Sequence, residues 1–267
     1  MDRFDLYELC VQSPRWLTPF LRAVHGSDPR VLREDFCGTA AISRRWIADG
    51  RKSGLDCRAT GVDLDPQVLD RAAAAAGNDR TTDRLTLLRG DATTLPVDDQ
   101  SVGADVVFVG NFSIGYIHDR PRLMNYLRTT HKRLMHAGAG WGGGVLVVDV
   151  YDGPGKFALG SIVRTHTGRG HEIVRYTWEH READALTAMV TNVIHFRVLI
   201  DGDVVQEITD AFVYRWRLWS IAELREAMTE AGFAVTEVHQ EISERPTPLA
   251  NGMEMSESGV VCVVGRA

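Results

Sequence analysis

The chain has 267 residues, 44% of them apolar and 25% charged, enough to bury a core as one large domain or as a domain carrying an insertion. A formal charge of −6 and a pI near 5.8 argue against nucleic acid as the main partner, and no run reaches the roughly 18 uncharged apolar residues of a membrane span. MDRFDLYELC lacks the positive-then-apolar pattern of a signal, and Cys10, Cys37, Cys57 and Cys262 form no CxxC pair, so a cytoplasmic chain with free thiols, no structural zinc and no membrane partner is expected.

In chain order, residues 4–25 read as helical, with Leu6, Leu9 and Cys10 on one face and Pro14 breaking the segment before 16–24. Residues 31–36 read as a first core strand. Residues 39–48 then carry Ile42, Trp46 and Ile47 at helical spacing, with an end near Gly50. A second strand spans 58–64, and Pro66 suits the first turn of a helix that continues through the alanine run at 72–76. Residues 85–88 form a third strand closed by Gly90-Asp91-Ala92. ADVVFVG at 104–110 is near-continuously apolar, as in a strand buried on both faces. Helical period returns at 121–135, a loop follows at 138–144, and 145–150 is a fifth buried strand. This alternation implies a doubly wound, mostly parallel α/β sheet.

The rhythm changes after Tyr151. Strand-like runs occupy 171–180, 186–200 and 204–217, with Asp201-Gly202-Asp203 as a hairpin signal. Thr191, Val193, His195 and Arg197 alternate with Asn192, Ile194, Phe196 and Val198, so 152–217 is expected to be an inserted antiparallel layer, serving as a lid, a substrate subdomain or an oligomer interface. Ser220 with Glu223 forms a capping box, Gly232 closes that helix, and two strands at 234–239 and 259–264 follow, joined by a loop at 246–252. Three segments are therefore expected: 1–29, a main domain of 30–151 with 218–267, and the insertion.

The chemistry concentrates in two stretches, VLREDFCGTA at 31–40 and GVDLDP at 61–66. A strand, a tight small-residue turn and a helix start bring backbone N–H groups close to a ligand, and a carboxylate at the tip of the next strand accepts from two ribose hydroxyls. That is the build of a site for an adenosine-containing cofactor.

With GDA after the third strand, a buried fourth strand and a final helix followed by two strands, this order resembles the class I S-adenosylmethionine-dependent methyltransferases over about 30–151 and 218–267. REDFCGT, DVYDGP and YRWRLWSIAEL resemble one bacterial group of them, and FSIGY with the inserted strands resembles small-molecule N-methyltransferases. The resemblance implies a seven-stranded Rossmann-like sheet and S-adenosylmethionine as cofactor. It places Glu34 at the family's acidic position, Phe36, Cys37, Gly38, Thr39 and Ala40 along its glycine-rich turn, and leaves Asp35 as an alternative to Glu34. Two of the three family glycines are replaced, which weighs against a nicotinamide dinucleotide, whose pyrophosphate needs them. Asp63 matches the ribose ligand, with Asp65 as a competitor that equally suits a helix cap; Leu64 matches the residue against adenine. Asp91 and Ala92 match the adenine-amino site, and Asn111 and Phe112 fall where the family holds the methionine end of the cofactor.

Other assignments stay open at this stage. Tyr7 and Gln12 either close over the cofactor's amino-acid end, or pack on the sheet and face water respectively. Tyr116 or His118 is placed to take a proton, with His118 alternatively starting the next helix. Among Tyr151, His166, His171, Tyr176, Trp178, His180, His195, Tyr214, Trp216 and Trp219, histidines spread over strands suit surface or core roles, so no metal is expected, and the tryptophans suit core more than an amine cage. Arg215 and Arg217 read as exposed strand charges, or as a grip on a substrate carboxylate. The expected activity is methyl transfer to a small soluble molecule, an amine before a phenol or carboxylate; a nicotinamide oxidoreductase and a non-catalytic cofactor-binding subunit are the competing classes.

Overall fold

The computed structural model describes every residue except 97–102, 135–142, 169, 251 and 254–258. The expected helix end at Met135, most of the loop at 138–144, and Asn251 in the 246–252 loop lie outside the described residues. The chain divides into two compact units, Ser13–Asp152 with Trp219–Ala267, and Met1–Gln12 with Gly153–Leu218. The N-terminal segment is thus shared between them, its first helix going with the insertion.

In the larger unit the strands are β1 (Val31–Asp35), β2 (Arg58–Asp63), β3 (Leu85–Arg89), β4 (Val106–Val109), β5 (Val145–Tyr151), β10 (Val235–His239) and β11 (Val260–Arg266), ordered β10-β11-β5-β4-β1-β2-β3. The five strands from β3 to β5 pair in parallel, and β11 runs antiparallel between β5 and β10. All four residues of β4 are buried, as its unbroken apolar run requires of a central strand covered on both sides. Val107 and Val109 face Leu123, Tyr126 and Leu127 of α5 (Arg120–Arg133) and Leu224 and Met228 of α6 (Ile221–Ala231). Val106 and Phe108 face Phe20 and Leu21 of α2 (Pro14–His25) and Ile42 and Trp46 of α3 (Ala41–Lys52).

The helix ends follow from local chemistry. The Asp65 carboxylate accepts from the Gln67 N–H at 2.8 Å and starts α4 (Pro66–Asp79), with Pro66 where its missing N–H costs nothing. Ser220 and Glu223 exchange the reciprocal bonds of a capping box at α6, and Gly232 ends it at φ 112°. Helix α3 runs to Lys52, beyond the expected end at Gly50, because the break lies at Gly54, in the left-handed region at φ 72°.

The smaller unit is a four-stranded antiparallel sheet, ordered β6-β7-β8-β9, made of β6 (Gly160–Thr167), β7 (Ile173–Asp184), β8 (Met189–Ile200) and β9 (Asp203–Arg217). Asp201 and Gly202 both take positive φ, 52° and 94°, which is the turn that joins β8 to β9 in register. Asn192, Ile194, Phe196 and Val198 are buried as the alternation indicated; Val193, on the opposite face, is buried as well. Leu6 and Cys10 of α1 (Arg3–Cys10) pack against Val174, Tyr176, Phe196 and Ala211. Strand β6 was not expected: all but one of its residues are exposed, so neither face imprints an apolar period on GSIVRTHT. All four cysteines are free thiols and buried.

Candidate active site

The carboxyl ends of β1, β2, β3 and β4 collect most of the residues singled out in the sequence. After β1 the chain turns through Phe36 (φ 58°), Gly38 (φ 53°) and Ala40 (φ 54°), all left-handed. Phe36 and Ala40 stand where the methyltransferases that the sequence resembles have glycine, so the turn takes positive φ without the glycines, at about 1 kcal/mol of backbone strain for each. The turn is tied down by Cys37 N–H to the Val62 carbonyl at 2.9 Å and Ala40 N–H to the Cys37 carbonyl at 2.8 Å. Cys37 points inward, and burial pushes its thiol well above the ordinary range. Gly61 is the glycine that space demands: a β-carbon there would lie 2.9 Å from Cys37 Sγ. Over Gly38 no atom lies within 4 Å of a built β-carbon, which leaves its backbone open to a ligand.

Glu34 and Asp35 are both turned into the protein, on opposite faces of β1. Glu34 Oε2 accepts from the Ser43 N–H at 2.9 Å and from its hydroxyl at 2.6 Å. Full burial pushes its carboxyl up to about 7 despite those donors. Asp35 accepts from Arg33 Nε at 2.7 Å and from the Tyr126 hydroxyl at 2.8 Å, all three side chains being fully buried. Both carboxylates are buried, and Glu34 braces the first turn of α3 through Ser43.

Asp63 ends β2 with both oxygens engaged, Oδ2 by the Gly38 N–H at 2.8 Å and Oδ1 by the Asp65 N–H at 3.0 Å. Burial raises its pKa against those donors. The Leu64 N–H donates to it as well, so of about four lone-pair sites roughly one stays open to a ligand hydroxyl. Leu64 beside it is 60% exposed, an apolar surface for a planar base. Asp91, after β3, accepts from the Thr93 N–H at 2.9 Å and hydroxyl at 2.7 Å, and from Arg122 Nη2 of α5 at 3.2 Å; Ala92 beside it is buried. The Arg122 contact was invisible in the sequence, since nothing links positions 91 and 122 before α5 packs beside β3.

After β4, Asn111 (φ 56°) and Phe112 (φ 59°) are consecutive left-handed residues leading into a single 3-10 turn, Ser113–Tyr116. Their N–H groups both donate to Asp149 of β5, at 2.8 and 2.7 Å. Asp149 was not singled out in the sequence; burial pushes its carboxyl up to about 6. The Phe112 ring meets Tyr151 edge-on at 5.1 Å, and Tyr116, 41% exposed, stacks on Phe36 at 6.1 Å. His118 is exposed just ahead of Asp119, which caps α5, so it does not begin that helix. Trp219 Nε1 donates to the Ile117 carbonyl at 2.9 Å and anchors this loop from within the core.

The remaining candidates lie in the smaller unit. Tyr7 packs on Phe212 at 5.0 Å, and Trp216 is buried against Tyr214 at 4.6 Å. His195 accepts from the Asp210 N–H at Nδ1 and so directs Nε2–H to Glu179 at 3.0 Å, within a network that includes Arg181. Arg215 is exposed and Arg217 half-buried. Among the described residues, no three His, Cys, Asp or Glu side chains converge as a metal site would need.

A family model described as a methyltransferase domain matches residues 36–138. No curated protein matches the chain in sequence. Among solved structures the chain is similar to a S-adenosylmethionine-dependent methyltransferase from Clostridium acetobutylicum, with TM-score 0.69, 15% identity, and coverage of 98% of this chain and 96% of that one. It is also similar to the CcbJ methyltransferase from Streptomyces caelestis (TM-score 0.65, 20% identity, 96% of each chain). A third is CalS10 with bound S-adenosylmethionine, an amino pentose methyltransferase from Micromonospora echinaspora involved in calicheamicin biosynthesis (TM-score 0.65, 16% identity, 99% of this chain and 96% of that one).

Proposed function

We propose that this chain, which carries a class I S-adenosylmethionine-dependent methyltransferase domain, methylates a small soluble molecule at an amine nitrogen. The observation that carries the cofactor assignment is the join between β1 and β2: three left-handed residues, Phe36, Gly38 and Ala40, with the middle N–H bound to Asp63. The residues fit the group. The open backbone at Gly38, the Asp63 carboxylate, the exposed face of Leu64 and the Asp91 carboxylate suit an unphosphorylated adenosine.

S-adenosylmethionine supplies an electrophilic methyl on a sulfonium, displaced in line by a nucleophile. What the protein contributes is alignment and exclusion of water, which needs no metal. The Asn111–Phe112 loop is proposed to hold the methionine end, and Tyr116 and His118, exposed just beyond it, are the proposed proton acceptors for the amine. The inserted residues, whose strands begin directly after β5, are proposed to choose the substrate.

For the amine, support comes from CalS10, described as an amino pentose methyltransferase. The acidic balance of the chain is compatible with a cationic substrate. The test is a radiolabelled methyl-transfer screen over amines, phenols, carboxylates and thiols. Label on amines is expected; label on phenols or carboxylates alone would overturn the nitrogen assignment and leave the cofactor site standing.

A further inference from the structure

Beyond the residues expected to touch a ligand, β5 contributes a half-buried carboxylate at Asp149. Asp149 accepts two main-chain N–H groups in succession, from Asn111 at 2.8 Å and Phe112 at 2.7 Å. Those are the two residues after β4 that stand at positive φ, 56° and 59°. Left-handed backbone is tolerable for asparagine and unfavourable for phenylalanine, and two in a row persist only where the surroundings fix them. Two charge-assisted bonds to one carboxylate provide that fixation, because both donors are held toward the same acceptor. Tyr151, two residues further along the same face of β5, adds a second hold by meeting the Phe112 ring at 5.1 Å and 74°.

We propose that Asp149 is a positioning residue for cofactor binding: it locks the Asn111–Phe112 loop in its left-handed form and thereby sets where that loop meets the methionine end of S-adenosylmethionine. This rests on the cofactor reading above. The alternative is that Asp149 only contributes to folding, and two features argue against it. Its strand neighbours Val147, Val148 and Val150 already supply the apolar burial of β5, and Asp149 itself is only half-buried, with its carboxylate contacts going to the loop's backbone.

The experiment compares the wild-type chain with Asp149→Asn, alone and combined with Asn111→Gly and Phe112→Gly, in calorimetric titrations with S-adenosylmethionine and S-adenosylhomocysteine, each chain's fold being checked by circular dichroism. Asparagine offers one carbonyl acceptor for two donors, so Asp149→Asn is expected to weaken both ligands by about tenfold or more. Asn111 and Phe112 are themselves placed at the cofactor, so the combined variant is read against the two glycines alone: the glycines remove the backbone penalty, and Asp149→Asn is expected to cost less affinity in that background than in wild type. Unchanged affinity in Asp149→Asn, or an undiminished cost in the glycine background, overturns the proposal. Failure of the wild-type chain to bind either ligand would instead overturn the cofactor reading. Amide exchange in the wild-type chain gives a measure that needs no variant: Asn111 and Phe112 are expected to be strongly protected, and fast exchange at both contradicts the lock.

Discussion

The Gly38 N–H donates to Asp63 Oδ2 at 2.8 Å, so the carboxylate expected to hold the ribose also braces the turn that approaches the rest of the cofactor. The end of β2 and the turn after β1 are therefore one device. Asp63→Ala is expected to weaken S-adenosylmethionine by about 1–3 kcal/mol, since it removes an acceptor for the ribose and the acceptor that braces the turn. Asp63→Asn should fall between, because one carbonyl oxygen remains. Equal affinity for Asp63→Ala and wild type by calorimetry would remove Asp63 from the site.

Backbone conformation, more than residue identity, is what the family glycines supply at Phe36 and Ala40. Ala40 is fully buried at φ 54°. Ala40→Gly is expected to change folding stability by less than about 1 kcal/mol, strain relieved offsetting the methyl lost, and to leave cofactor affinity intact. Ala40→Val should cost about 1–3 kcal/mol, since a β-branched residue resists positive φ. Chemical denaturation of the two variants checks this, and equal tolerance of both would contradict it.

Asp91 and Arg122 should behave as a coupled pair. Arg122 is half-exposed, so Arg122→Ala is expected to change stability by less than about 1 kcal/mol. Its effect on cofactor affinity should appear in wild type and vanish in an Asp91→Ala background, which a double-mutant cycle reads directly.

Burial pushes Glu34 up to about 7 and Asp149 up to about 6, against ordinary values of 4.5 and 3.8. Both carboxyls take up protons more readily in the folded chain than in the unfolded one. Their contribution to stability is therefore full below the ordinary carboxylate range and is lost as pH rises through 6 and 7, by on the order of 3 kcal/mol for Glu34. Urea unfolding from pH 5 to pH 8 should show this fall. Glu34→Gln should flatten it whatever its absolute stability, and an unchanged slope in that variant would contradict the assignment.

Much of this was readable because each signal was local. The continuous apolar run of β4, the Ser220–Glu223 capping box and the Asp201–Gly202 turn each depend on a few neighbouring residues. Asp63 closes β2 and Asp91 follows the end of β3, as the same local signals indicated. What escaped depends on the third dimension. The burial of Glu34 against Ser43 depends on how α3 docks, which the spacing of REDFCGT does not carry. The two main-chain donors of Asp149 come from the loop after β4, some 38 residues earlier in the chain, which no local pattern encodes. Helix α1 packs on strands more than 150 residues away in the chain, a pairing no periodicity encodes.

The central claim is that the β1 turn, Asp63 and Asp91 hold S-adenosylmethionine. Titration calorimetry of the wild-type chain with S-adenosylmethionine, S-adenosylhomocysteine, NAD and NADP tests it most directly. The account predicts binding of the two adenosyl compounds at one site and no heat from either dinucleotide; binding of NAD with none of S-adenosylmethionine would contradict it.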